Sequence, residues 1–259
     1  MYHRIANVAE ESVPPYYRIA TSPARFARQM QWIAEAGWRA VGVSEALRLF
    51  VTTPAKARRI CALTFDDGFR DFDLEAAPVL RRHGFRATVY LPTAFVGPPR
   101  HRFKTAECLT WDEVRALHRE GIEFGSHTVS HPQLHRLPWA DTCRELAAAK
   151  RRIEQELQTE IDGFAYPYAY PQSDRKFRRA FTSQLRTEGH RHAVTTMIGR
   201  ARPDCDPLCL PRLPVNEADD RALLLAKLAG AYDWVAAAQS VFKSVHRVLA
   251  PSPGSAPQP

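Results

Sequence analysis

The sequence lacks the features that place a chain in a membrane or in a disulfide-stapled secreted class. It has no run of about 18 apolar residues, because the best candidate, residues 222–242, is interrupted by Lys227 and Asp233. Its first residues show no basic segment followed by an apolar one, so no secretion signal is visible. Its five cysteines are an odd number at irregular spacing, which favours a reducing compartment over a disulfide framework. We therefore expect a cytoplasmic protein, with association to a membrane surface as an option.

Internal repeats are also absent, and the composition is that of an ordinary soluble globular protein. The 259 residues are 45% hydrophobic and 25% charged, which is enough to bury a large core without disulfides or a structural metal. We expect one domain over residues 1–250 and a disordered, proline-rich tail over residues 251–259.

The net charge of +8 comes mostly from arginine. A charge of this size favours an anionic partner, such as an anionic membrane surface or a pyrophosphate-linked glycan carrier. No basic patch interleaved with aromatic residues supports nucleic acid as that partner.

Strand-like and helix-like segments alternate along the chain. Buried strands are predicted at residues 60–65, 85–91, 122–126, 161–166 and 192–197. Helix starts are predicted at Ser22-Pro23, at the Thr110–Glu113 capping box and at Asp141, and residues 219–249 are expected to be helical and peripheral. This alternation predicts an α/β fold with a mostly parallel sheet, either open or closed into a barrel.

Two polar motifs follow predicted strands, where the carboxyl ends of parallel strands gather catalytic groups. The first is Asp66-Asp67-Gly68, in which adjacent carboxylates repel unless a cation lies beside them, although the same residues also suit a plain turn. The second is His127-Thr-Val-Ser-His131, whose spacing would put both imidazoles on one face of a helical turn. Two histidines and a carboxylate predict a catalytic zinc-type site with open positions for water and substrate.

A third motif, Tyr166-Pro167-Tyr168, also ends a predicted strand. It could be an aromatic turn. It could alternatively form a wall of the substrate groove and turn a backbone N–H towards the reacting carbonyl.

These motifs, in this order, resemble the polysaccharide deacetylases of the NodB-homology type (carbohydrate esterase family 4). The resemblance extends over nearly the whole chain and includes Tyr2-His3-Arg4, Ser22-Pro23 and the segment of residues 210–214. It implies a distorted (β/α) barrel that hydrolyses N-acetyl groups, and sometimes O-acetyl groups, of sugars.

The resemblance also implies roles for individual residues. Asp67, His127 and His131 match the metal ligands, and Asp66 matches the catalytic base. Such a metal lowers the pKa of water from 15.7 to about 7 and polarises the amide carbonyl. Zinc is the expected ion, and cobalt, nickel, manganese or iron would fit the same ligands. The backbone N–H of Tyr168 would face the oxyanion.

The chain departs from the family pattern in two places. Ala165 stands where most members have an arginine that orients the base, and we hypothesise that Arg212 fills this role from another strand. The late histidine that usually supplies the general acid is missing. The branch that acts on biofilm exopolysaccharides begins with a Tyr-His pair, so we nominate His3 as the acid.

The sequence thus predicts a metal-dependent N-deacetylase acting on a bacterial-type glycan, either an exopolysaccharide or a lipid-linked saccharide. One alternative is a hydrolase of the same type that cleaves another C–N bond, in a cyclic imide or ureide. Another is a catalytically inactive glycan-binding protein, which the two departures would permit.

Overall fold

The computed structural model describes residues 1–8, 13–14, 18–54 and 56–233 of the chain, with the side chains of residues 56 and 57 left aside. The predicted tail over residues 251–259 and the second half of the predicted helix over 219–249 lie outside these residues.

A six-stranded parallel sheet forms the centre of the molecule and curls into half a barrel, as the predicted distorted (β/α) barrel requires. Its strands are β5 (Thr64–Phe65), β6 (Thr88–Leu91), β9 (Glu123–Ser126), β10 (Gly163–Ala165), β11 (His192–Ile198) and β12 (Leu210–Arg212). They lie in the order β12-β11-β10-β9-β6-β5 across the sheet. Because all six run in the same direction, their carboxyl ends meet at one edge, where the polar motifs lie.

Three two-stranded sheets flank this centre. They pair β1 (Arg4–Ile5) with β2 (Ala20–Thr21), β3 (Arg39–Val41) with β4 (Ile60–Ala62), and β7 (Arg102–Phe103) with β8 (Ala106–Glu107). The predicted strand over residues 60–65 is therefore wrong as one unit. Its first half pairs with β3 and its second half pairs with β6, so the chain changes sheets at the buried Leu63.

Seven α-helices surround the sheet in the described part of the chain. They are α1 (Pro23–Glu35), α2 (Val43–Thr52), α3 (Ala77–Arg82), α4 (Trp111–Arg119), α5 (Trp139–Leu157), α6 (Arg175–Thr187) and α7 (Arg221–Ala229). The caps predicted at Ser22 and at the Thr110–Glu113 capping box are confirmed. The predicted cap at Asp141 is wrong, because α5 begins two residues earlier and Asp141 lies in its first turn. Helix α7 ends at Ala229, because Gly230 adopts a left-handed φ of 99°. The helix predicted over residues 219–249 is therefore interrupted at Gly230.

The N-terminal residues run beside β5. The backbone N–H of Tyr2 donates to the Thr64 carbonyl at 2.8 Å, and that of Asp66 donates to the Tyr2 carbonyl at 3.1 Å. The Tyr2 ring stacks on Phe65, with 5.4 Å between ring centroids. This apolar packing beneath the strand end fixes His3 and Asp66 next to each other above it.

No helix in the described ranges combines the length and the apolar character needed to cross a membrane.

Candidate metal and catalytic site

The turn after β5 separates two adjacent carboxylates. Asp67 has a φ of 72° and Gly68 a φ of 60°, which is the left-handed region that L-residues rarely adopt. A Cβ on Gly68 would stand 2.8 Å from Leu91 Cδ2, so both space and backbone conformation favour glycine. The turn directs Asp66 towards β12. It directs Asp67 towards the loop of residues 127–131, here called the histidine loop.

The histidine loop follows β9 and is not helical, so the predicted helical turn is wrong. Thr128 and His131 have φ values of 70° and 55°, and the Thr128 hydroxyl accepts the His131 backbone N–H at 3.0 Å. These left-handed residues curl the chain back on itself. The two imidazole rings still meet, with centroids 4.7 Å apart.

Asp67, His127 and His131 come together as the sequence predicts. Asp67 Oδ1 lies 3.6 Å from His127 Nε2 and 3.3 Å from His131 Nε2, and all three side chains are buried. His127 Nδ1 lies 2.8 Å from the Ala165 carbonyl oxygen, which can only accept, so Nδ1 donates to it and Nε2 is the ring nitrogen that faces Asp67 and could bind a metal.

The charge and donor atoms of this group suit a divalent ion. Burial alone would raise the pKa of Asp67, but the neighbouring His127 and His131 outweigh it and hold that pKa well below its usual range. Burial lowers the pKa of His131. Within the described chain, Asp67 Oδ1 and His131 Nδ1 are buried without a hydrogen bond. A carboxylate with two imidazoles is a donor set that zinc and similar ions accept, so these residues could hold such an ion.

Arg212 makes a bidentate ion pair with Asp66. Its two terminal nitrogens each donate to one carboxylate oxygen at 2.7 Å, and its Nε donates to the Thr195 carbonyl at 2.9 Å. Burial would raise the pKa of Asp66, but the Arg212 guanidinium outweighs it and lowers that pKa to about 2. Asp66 is therefore ionised at neutral pH. Arg212 occupies the place opposite Asp66, while Ala165 is fully buried in β10.

His3 lies on the other side of Asp66. Its Nε2 is 4.0 Å from Asp66 Oδ2, and its side chain is 23% exposed. Burial lowers the pKa of His3 despite the attraction of Asp66 and Asp67. Both residues that the sequence nominates from distant positions thus lie at Asp66.

The third motif is split between the core and the surface. Tyr166 is 2% exposed and packs against Phe164 and Phe181, so the expectation that its side chain binds substrate is wrong. Its ring is apolar enough to fill the space between β10 and α6. Tyr168 is 46% exposed, has a φ of 57°, and places its ring 4.6 Å from the His131 ring. Pro167 is buried between them.

Three further residues beside the site have no signal in the sequence. Glu145 of α5 accepts the backbone N–H groups of Val129 and Ser130 at 2.8 and 2.9 Å, and so holds the histidine loop. In the hairpin of β7 and β8, Lys104 Nζ lies 3.3 Å from Asp67 Oδ2, and the Phe103 ring lies 5.0 Å from His131. Each comes from an element far along the chain, so no local motif could have indicated it.

Comparison with known proteins agrees with this geometry. The family model described as "Polysaccharide deacetylase" matches residues 53–185, just over half of the chain. YxkH of Bacillus subtilis (strain 168), which carries the name of a polysaccharide deacetylase, is 26% identical over 217 residues, or 83% of this chain and 70% of its own.

Two solved structures share the fold. The Streptococcus pyogenes deacetylase PplD in complex with acetate has a TM-score of 0.75 at 22% identity, covering 88% of this chain and 95% of its own. A de-N-acetylase from Aggregatibacter actinomycetemcomitans has a TM-score of 0.67 at 15% identity, covering 86% and 96%. The chain therefore belongs to the polysaccharide deacetylase family of the NodB-homology type and is a hydrolase of the deacetylase class.

Proposed function

We propose that this protein removes N-acetyl groups from a bacterial-type glycan, with a divalent metal at Asp67, His127 and His131. The observation that carries the proposal is the pair of buried carboxylates side by side: Asp67 faces two imidazoles, and Asp66 faces Arg212 and His3. Two roles for adjacent carboxylates, set by different neighbours, are what metal-assisted amide hydrolysis needs. A protein that only binds glycans has little use for a base beside the ligands.

Asp66 is the proposed base. Arg212 holds its carboxylate in one orientation and keeps it ionised, so it can take a proton from the water that attacks the acetyl carbonyl carbon. A divalent ion, when bound, supplies a Lewis acid that polarises the carbonyl and lowers the pKa of water. The backbone N–H of Tyr168 is the proposed donor to the carbonyl oxygen as charge develops on it.

His3 is the proposed acid. As the C–N bond breaks, the departing amine needs a proton, and His3, 4.0 Å from Asp66, would pass to it the proton that Asp66 has taken from the water. The exposed Tyr168 ring and the buried Pro167 behind it form the proposed wall on which the sugar rests.

Exopolysaccharide and lipid-linked saccharide are the proposed substrate classes. The relative named a de-N-acetylase supports cleavage of an amide, and zinc is the proposed ion.

The five free cysteines support a cytoplasmic location, and the charge of +8 supports an anionic partner such as a membrane surface or a pyrophosphate-linked carrier. Cleavage of a cyclic imide or ureide is the second candidate.

Metal content per chain tests the proposal. After reconstitution with zinc and desalting, we expect about one ion per wild-type chain, none in Asp67→Ala or His127→Ala, and full retention in the control His135→Ala, which changes an exposed histidine. Acetate release from acetylated chito-oligosaccharides should follow the metal. A wild-type chain that retains no ion would refute the metal-dependent mechanism and favour the inactive glycan-binding alternative. Turnover of a cyclic imide without acetate release would favour the second candidate.

A further inference from the structure

An arginine-lined cleft of about 910 Å³ includes in its lining Tyr170, which lies two residues after Tyr168 of the proposed active site. It lies between α6 and the segment that follows β11. Among the described residues, two aspartates (Asp206 and Asp233) and six arginines line it: Arg175, Arg178, Arg179, Arg186, Arg200 and Arg202. The cleft therefore carries a net charge equal to about half that of the whole chain. Concave surfaces lined by one sign of charge focus the electrostatic field and concentrate ligands of the opposite sign.

The arginines divide into paired and available ones. Arg200 is paired with Asp233 at 2.7 Å, Arg202 with Asp204 at 3.3 Å, and Arg186 lies 3.8 Å from Asp206. Among the described residues, no carboxylate lies within 4.0 Å of Arg175 or Arg179, and both are exposed. These two follow each other by one turn of α6, so their guanidinium groups lie on the same face of the helix.

Arg178, which lies between Arg175 and Arg179 on α6, gives the cleft a hydrogen-bond donor that is held in a fixed position. Its Nε donates to the Tyr170 hydroxyl at 3.1 Å, and one terminal nitrogen donates to the Gln172 carbonyl at 3.0 Å. Its guanidinium also lies over the Tyr170 ring, 5.5 Å from the centroid. An arginine held in place by three contacts loses less conformational entropy when it binds an anion.

A short stretch of chain connects the cleft to the active site. Tyr170 lines the cleft, and Tyr168, two residues earlier, packs its ring on His131. The Thr196 hydroxyl ties the two together, because it donates to the Tyr168 carbonyl at 3.1 Å and accepts the Tyr170 N–H at 3.0 Å. Two residues of chain separate their Cα atoms by at most about 7 Å. The exposed Tyr168 ring and the Tyr170 wall of the cleft therefore belong to one segment that Thr196 holds in place.

We propose that this cleft binds a phosphate or pyrophosphate group carried by the glycan substrate, so that the enzyme prefers a phosphate-linked saccharide to a neutral one. The inference rests on the proposed function. Guanidinium groups bind phosphate oxygens through paired, charge-assisted hydrogen bonds, and Arg175 and Arg179 have such donors to offer. A concave site suits a discrete anionic group better than a lipid surface. Tyr170, the aromatic residue of the described lining, is buried, so bases of a nucleic acid would find no exposed ring there to stack on.

Binding of inorganic pyrophosphate tests the cleft without any turnover. Calorimetry is done on the Asp67→Ala chain, so that pyrophosphate cannot bind through a metal at the triad. Adding Arg175→Glu and Arg179→Glu should weaken binding at least tenfold, whereas adding Arg119→Glu and Arg151→Glu, the same charge change on exposed residues of α4 and α5, should change it less than threefold. Unfolding curves confirm that each variant is folded. Equal binding in both double variants, or none in the parent chain, overturns the proposal whether or not the enzyme proves to be a deacetylase.

Two further arms distinguish the source of the phosphate. With the metal-loaded enzyme, Arg175→Glu/Arg179→Glu should raise KM for an N-acetylhexosamine diphosphate ester at least tenfold, and raise it far less for a neutral acetylated oligosaccharide. Co-sedimentation with phosphatidylglycerol vesicles should not depend on these two arginines. Vesicle binding that is lost in the variant, with the KM for the diphosphate ester unchanged, would assign the cleft to a membrane instead and overturn the proposal.

Discussion

At the scale of single residues, the buried ion pair between Asp66 and Arg212 is the most exacting feature of the site. Both side chains are almost fully excluded from water, and Arg212 also donates to the Thr195 carbonyl and to Thr64 Oγ1. Removing one partner of such a pair leaves an uncompensated buried charge. Arg212 therefore affects both the stability of the strand ends and the orientation of the proposed base.

Arg212→Ala should lower kcat for acetate release at least 100-fold and reduce the free energy of unfolding by about 3–5 kcal/mol. Arg212→Lys should recover part of the stability but little of kcat, because an ammonium cannot donate to both carboxylate oxygens in the planar fork. Steady-state kinetics and urea unfolding measure the two effects. Full activity in Arg212→Ala would refute the orienting role.

His3→Ala should lower kcat on an N-acetylated sugar about 100-fold or more, because an amine is a poor leaving group without a proton. Hydrolysis of 4-nitrophenyl acetate should fall much less, since nitrophenolate leaves without general acid. The ratio of the two rates separates a missing acid from a disturbed fold, and His101→Ala, on an exposed histidine, serves as the control. A proportional loss on both substrates, or no loss, would contradict the assignment.

At the scale of elements, the strand ends and two irregular turns set the geometry of the proposed metal ligands. Asp67, Thr128 and His131 all adopt positive φ values, which cost free energy unless surrounding contacts determine them. The Glu145 carboxylate supplies such contacts by accepting two backbone N–H groups and the Ser130 hydroxyl. Helix α5 thus holds the loop that carries both histidines.

Glu145→Ala should weaken zinc binding by about tenfold, which is the lower end of the effects seen when outer-shell partners of metal ligands are removed. Competition with a chromogenic chelator measures the affinity. Glu156→Ala is the matched control, because it removes a carboxylate of the same helix that pairs with Arg115 and Arg152 instead of the loop. Similar zinc affinity in both variants would show that the loop keeps its shape without Glu145.

At the scale of the whole molecule, two buried histidines make the fold sensitive to acid. Burial, with help from Lys150, lowers the pKa of His190 to about 3, and burial lowers the pKa of His192 to about 4. The unfolded chain takes up a proton near pH 6.5, whereas the folded chain resists it. Their contribution to stability is therefore complete above about pH 6.5 and is lost as the pH falls towards the folded values.

His190→Phe should reduce the slope of unfolding free energy against pH, between pH 6 and 5, by about 1.4 kcal/mol per unit. The replacement keeps an aromatic ring against Phe164 but cannot take up a proton. His190→Leu is a second variant, used in case the phenyl ring of the first fits the site poorly, and it should give the same change of slope. Urea unfolding at several pH values measures the slope, and an unchanged slope in both variants would show that His190 titrates normally in the folded state.

The sequence by itself determined the α/β class and the Asp66-Asp67 and His127–His131 motifs, because apolar runs and the polar residues that follow them are local patterns. The choice of Asp67 as the proposed ligand came from the family resemblance. The sequence also led to Arg212 and His3, but only through the roles that the family resemblance left unfilled. Its errors came from reading local patterns alone. The nearly unbroken apolar run of residues 60–65 predicted a single strand, Asp141 was predicted as a helix cap because aspartate is a favoured cap residue, and Tyr166 was predicted at the surface of the substrate groove because it lies in an aromatic turn.

Only the tertiary structure decided which groups meet. Arg212 and Asp66 are 146 residues apart in the chain, and β12 and β5 bring them to 2.7 Å. Glu145, Lys104 and the arginine cleft depend on how α5, the β7–β8 hairpin and α6 pack around the sheet. Long-range packing of this kind leaves no period or motif in the sequence, because each side chain is placed by the element that carries it and by the sheet on which that element rests.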